Sequence, residues 1–173
     1  MGSAKGEILV FSDFNCEGAF EMKYTTEDFM KIAIAEARKG MSKGNRPFGS
    51  VIVKDRKVVA KAGHDVTAHA ELGAIRKFSQ KTKTGDLRGC TLYATGEPCL
   101  MCCAAIAGAN ISELVIAANH SDIPTGMRSR RKRPGKITYE EVFREYGLKA
   151  KVKKGVLREE VVKLYEEFIK KQV

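Results

Sequence analysis

Gly63-His64-Asp65-Val66-Thr67-Ala68-His69-Ala70-Glu71 and Glu97-Pro98-Cys99-Leu100-Met101-Cys102 share one layout. Each leaves a strand-like run and enters a stretch with helical periodicity. Before the first, Ser50 to Val53 and Lys57 to Ala60 read as two strands joined by the turn-prone Lys54-Asp55-Arg56. Helical character follows from Ala70 to Phe78. Before the second, Thr91-Leu92-Tyr93-Ala94 reads as a third strand, and Cys99 to Ala109 follows as an Ala-rich helix. Strands alternating with helices imply a sheet with helices on both faces.

The flanks extend this pattern. Thr26 is placed to cap a helix whose apolar positions are Phe29, Met30, Ile32, Ala33, Ala37 and Met41, with Gly40 and Gly44 marking its end. Leu114 to Ala117 reads as a fourth strand, Tyr139 to Tyr146 as a helix, and Lys149 to Lys153 as a last strand. A final helix carries the stripe Leu157, Val161, Leu164, Tyr165 and Phe168. The expectation is an α/β, three-layer domain over residues 22–173, with a central mixed five-stranded sheet. Residues 1–21 lack a clear period and read as an extension, an upstream start or a non-native remnant.

The totals agree. A chain of 173 residues, 43% hydrophobic, is long enough for one buried core and too apolar for wholesale disorder. No apolar run approaches the roughly 20 residues needed to span a bilayer. The N-terminus lacks the basic-then-apolar pattern of a secretory signal, so a cytoplasmic protein with no membrane partner is expected. The net charge is +10, and Met127 to Lys136 holds six positive charges without an acid. That run, with Arg128, Arg130, Arg131, Lys132 and Arg133, is either a contact for phosphates or a solvated loop.

Chemistry concentrates at the two quoted stretches. Cys99 and Cys102, two residues apart, reach one ion from a single helical turn, and a helix start stabilises their thiolates. His69 supplies a third ligand from the other helix start. Zinc held by three protein ligands keeps its fourth position open, which separates a catalytic site from a closed structural one. Glu71, two residues past the histidine, is placed to carry protons between water and a leaving amine. A purely structural zinc would need Cys103 or Cys90 as fourth ligand. Cys103 adjoins Cys102 and is poorly placed for that, and Glu71 would be left without a role. Cys16, Cys90 and Cys103 read as small apolar residues, and His64 and His120 as hydrogen-bonded or exposed side chains.

The pattern His-x-Glu followed by Pro-Cys-x-x-Cys resembles that of the cytidine-deaminase-like superfamily of zinc deaminases. The resemblance runs from about Thr26 to the C-terminus, and takes in Pro47-Phe48-Gly49-Ser50-Val51-Ile52-Val53 and Gly89-Cys90-Thr91-Leu92-Tyr93. It implies the cytidine deaminase-like fold, zinc, and hydrolysis of an exocyclic amine with release of ammonia. It also implies a homo-oligomer, expected to be a dimer. The similar branches are the guanine and nucleoside deaminases and the tRNA-adenosine deaminases.

Pro47-Phe48-Gly49 resembles the guanine and nucleoside branch, since the tRNA branch usually carries a smaller residue where Phe48 stands. Phe48 is thus an expected pocket wall, though the same ring would serve equally as core. Relatives typically read Gly-His-Asn, a loop, then Asp-Pro-Thr-Ala-His-Ala-Glu. Here the loop is shortened, and Asp65 stands either for the substrate-holding Asn or for the later Asp. Asn donates and accepts, whereas ionised Asp only accepts, so Asp65 facing the ring would favour substrates presenting N–H groups. Ala70 completes the expected substrate contacts. The first expectation is therefore a deaminase of a free nucleobase, nucleoside or related amino-heterocycle, guanine or cytosine deaminase-like. The alternatives are a tRNA-specific adenosine deaminase and a non-catalytic zinc-stabilised binding module.

Overall fold

The computed structural model describes residues 24–127 and 137–172. The expected extension at 1–21 and the basic residues Arg128, Arg130, Arg131, Lys132 and Arg133 lie outside these. Helix α1 spans Thr26–Met41, and Thr25 rather than Thr26 caps it. The Thr25 hydroxyl accepts from the Asp28 N–H, while the Asp28 carboxylate accepts from the Thr25 N–H at 2.9 Å. That reciprocal box needs an acid three residues past the cap, which fixes the start at Thr25.

Strands β1 (Gly49–Lys54) and β2 (Lys57–Gly63) form an antiparallel hairpin. Asp55 and Arg56 turn it at φ 48° and 60°, matching the twist of a two-residue connection. Then come α2 (Ala70–Thr82), β3 (Thr91–Gly96), α3 (Leu100–Gly108), β4 (Glu113–Ala118), α4 (Tyr139–Glu145), β5 (Lys151–Lys154) and α5 (Arg158–Lys170). Helix α2 outlasts its expected end at Phe78. The Thr82 hydroxyl bonds the Phe78 carbonyl, and Lys83, at φ 59°, closes the helix onto the Ser79 carbonyl. Between β4 and α4 lie two 3₁₀ turns, His120–Asp122 and Thr125–Met127, which no periodicity announced.

The strands order β2-β1-β3-β4-β5, with β1 antiparallel to β2 and β3, and β4 parallel to β3 and β5. Side chains alternate across this sheet. Val51, Val53, Tyr93, Val115 and Ala117 face α1 and α5; Ile52, Leu92, Ala94, Leu114 and Ile116 face α2, α3 and α4. Two apolar layers result, giving the three-layer mixed α/β/α architecture expected from the sequence. Gly49 fastens the first layer. A Cβ there would collide with the Ala33 carbonyl oxygen and lie 2.6 Å from the Ala37 nitrogen, so β1 and α1 meet backbone to backbone. The neighbouring Phe48 is thereby held at the end of the sheet where β2 and β3 feed their helices.

Candidate metal centre

His69 and Cys99 occupy equivalent places, each being the last extended residue before a helix. Their carbonyls accept from Gly73 and Cys103, both at 2.8 Å, and so begin the helical ladders. A residue at this position usually turns its side chain back onto the first turn. Neither does so here. Both side chains instead project into one shared space, and Cys102, one turn along α3, joins them.

The three donor atoms form a near-equilateral triangle. His69 Nδ1 lies 3.4 Å from Cys99 Sγ and 3.6 Å from Cys102 Sγ, and the two sulfurs are 3.6 Å apart. Tetrahedral zinc with its ordinary bond lengths requires sulfurs about 3.8 Å apart and each nitrogen–sulfur pair about 3.6 Å apart. The side chains are therefore positioned to ligate zinc, with Nδ1 as the imidazole donor. Among the described residues this is the one His/Cys/Asp/Glu group found at ligating distances. Cys103 points its thiol at the Pro98 carbonyl, 3.4 Å away, and lies outside the group. Cys90 is buried elsewhere, and no described cysteine is bridged.

Electrostatics prepares the same site. The hydrogen bond shared with Cys102 pulls the Cys99 thiol down to about 4 against the opposing effect of burial, with His69 adding to it. The same bond, then burial, pushes the Cys102 thiol up. A ligated cation displaces the protons of its thiol ligands. The contact with Cys99 raises His69, and burial opposes this. Glu71, only 8% exposed in the first turn of α2, is pushed up to about 7 by burial.

The expected substrate-contacting residues are dispersed more widely. Phe48 is half-buried, its ring 5.5 Å from that of Tyr165 and 6.1 Å from that of His64. Ala70 opens α2 with its methyl enclosed. Asp65 is turned onto its own loop, where Oδ1 accepts from the Thr67 N–H, the Thr67 hydroxyl and the Ala68 N–H at 2.6–2.8 Å. His64 is half-buried and lies outside the ligating group. Its ring lies 5.2 Å from that of His69, and Nδ1 is buried without a partner. Burial first, then the neighbouring His69, hold its pKa below the ordinary value. The adjacency of His64 to the shortened loop was the available signal, and a lone histidine does not make that signal specific. Its counterpart His120 stands beyond β4, its backbone N–H donating to Glu97.

The sequence model of the cytidine and deoxycytidylate deaminase zinc-binding region matches residues 23–118. A tRNA-specific adenosine deaminase of Buchnera aphidicola subsp. Schizaphis graminum (strain Sg) is 32% identical over 149 residues, covering 82% of this chain and 92% of that protein. A guanine deaminase of Bacillus subtilis (strain 168) is 41% identical over 103 residues, 56% of this chain, and the match spans 66% of its length. A structure solved in a study of A-to-I editing by tRNA:A34 deaminases at the wobble position superposes with TM-score 0.64 at 31% identity, covering 79% of this chain and 97% of that one. The layered sheet, the nitrogen–sulfur triangle and these matches agree: the chain belongs to the cytidine and deoxycytidylate deaminase family and carries its zinc-dependent hydrolytic deaminase domain.

Proposed function

We propose that the protein hydrolyses the exocyclic amine of an adenosine within transfer RNA, leaving inosine and ammonia. The observation carrying this is the tRNA-specific relative aligned over 92% of its own length, against 66% for the guanine deaminase. It puts the transfer-RNA reading ahead of the free-base reading that the sequence first suggested. The basic run from Arg128 to Lys136 supports it, since phosphate contacts supply salt-sensitive affinity. The free-base reading keeps the 41% identity to guanine deaminase and the half-buried Phe48 ring in its favour.

His69, Cys99 and Cys102 would hold the zinc. When bound, zinc supplies an activated water molecule as nucleophile. Glu71 would accept a proton from the attacking water and pass it to the ring nitrogen beside the reacting carbon. It would then take the remaining proton of that water from the hydroxyl now on the carbon and deliver it to the amine as the carbon–nitrogen bond breaks. Burial raises this carboxyl above the ordinary carboxylate range in the metal-free chain, which favours a group that can hold a proton between the two transfers. Ala70 sits in the first turn of α2, where backbone N–H groups lack helical partners and are free for a substrate acceptor.

A second copy of this chain is proposed as partner. Helix α3 carries no charged residue, and Leu100, Met101, Ala104, Ala105 and Gly108 face away from the core, with Met101 50% exposed. The substrate test is a parallel assay of zinc-loaded protein on transfer RNA and on free adenine, guanine, cytosine and their nucleosides. Inosine in the RNA with no ammonia from the small molecules is expected. Turnover of a free base with unmodified RNA would reverse the order.

A further inference from the structure

The residue expected to meet the substrate is already engaged. Asp65 Oδ1 accepts three hydrogen bonds from Thr67 and Ala68, and the Asp65 N–H donates to the Ala68 carbonyl at 3.1 Å. These bonds hold the shortened loop that delivers His69 to the metal site. Turning Oδ1 towards a base would break all three.

His64, one residue earlier, has the opposite character. Its backbone is fixed, because its N–H donates to the Phe48 carbonyl at 2.8 Å and its own carbonyl lies close against α1 at Gly40. Its ring neighbours those of Phe48 and His69, at 6.1 Å and 5.2 Å. Nδ1 is enclosed with no partner. A buried N–H without an acceptor is rarer and costlier than a buried lone pair without a donor. The ring proton is therefore driven to Nε2. The result is a rigid imidazole, beside a zinc ligand, whose Nε2 is a donor.

We propose that His64, and not Asp65, reads the substrate base, its Nε2–H donating to an acceptor on the ring. The inference rests on the deaminase reading above and sharpens its substrate class. The base must carry a ring nitrogen or carbonyl oxygen within reach of the amino-bearing carbon, as aminopurines and aminopyrimidines do. An Asp65-centred site would instead select for N–H groups. The zinc ligands fix where the reacting carbon sits, and His64 fixes how the ring is turned about it.

The test uses zinc-loaded Glu71→Gln protein, so that ligands bind without turnover. Calorimetry measures affinity for an adenosine-containing anticodon stem-loop RNA and for free adenine, guanine and cytosine. His64→Phe keeps a stacked ring and removes both nitrogens, while His64→Gln returns an amide donor at similar reach. The expected result is a roughly tenfold or greater loss with Phe and recovery of most of it with Gln, each variant keeping one zinc per chain. Should His64→Phe shed zinc, His64→Gln is compared with His64→Met, which has the same shape without the amide. Equal binding by the donor-bearing and donor-free variants overturns the role of His64 while leaving the deaminase reading intact. If no ligand binds the parent protein at all, the substrate reading fails and this inference falls with it.

Discussion

His69 Nδ1 and Cys99 Sγ lie 3.4 Å apart although the two residues begin different helices. The sheet brings them together: β1 is flanked by β2 and β3, the strands that lead into α2 and α3. Two positive helix ends therefore converge where two sulfurs and an imidazole collect. A helix start favours a thiolate, and the bond shared with Cys102 is the first cause that lowers the Cys99 thiol.

Cys99→Ser and Cys102→Ser should each release zinc, because two remaining protein ligands do not hold it. Cys103→Ser should retain it, since that thiol faces the Pro98 carbonyl instead. Atomic absorption on purified protein, read as zinc per chain, checks both. Full zinc in Cys99→Ser would show that another residue ligates.

Glu71→Gln should keep zinc and lose turnover by about 10²- to 10⁴-fold, the usual contribution of a positioned acid–base group. The side chain is enclosed within the site, and Gln has nearly the same shape. Single-turnover rates on the preferred substrate, alongside zinc content, separate loss of proton transfer from loss of metal. A variant turning over at the parental rate removes Glu71 from the chemistry.

Much of this was legible in the sequence because periodicity and metal chemistry are local. Val51-Ile52-Val53 and Leu114-Val115-Ile116-Ala117 are continuous apolar runs, and the structure buries both faces of them within the sheet. The spacing of Cys99 and Cys102 on one turn needs no tertiary information. His64 was not legible, because its character comes from the neighbouring rings of Phe48 and His69 and from an enclosed nitrogen. The same holds for Asp65, whose loop-holding bonds depend on a turn that composition alone does not specify. Thr25 took the cap from Thr26 because the acid at Asp28 decides between two adjacent, chemically identical candidates.

Met101→Lys should convert the proposed dimer to monomer. Met101 is 50% exposed on a helix face of small apolar residues, and a charge buried between two such faces has no partner. Light scattering coupled to size exclusion gives the mass directly. An unchanged dimer would place the contact elsewhere, and a monomeric parent would remove the dimer altogether.

Zinc-free protein should show the strain of Glu71 as a pH dependence of stability. Its carboxyl has an ordinary pKa of 4.5 and is pushed up to about 7 by burial, so the folded chain holds this proton more tightly than the unfolded chain. Stability falls wherever the folded state binds more protons. The loss therefore begins as pH rises past 4.5 and levels off above about 7, on the order of 3 kcal/mol in all. Glu71→Gln cannot ionise and removes this component. The two zinc-free proteins should unfold alike near pH 4, with the variant clearly more stable at pH 8, by denaturant titration at each pH. Parallel stability curves across that range would mean that the carboxylate is solvated in the folded state.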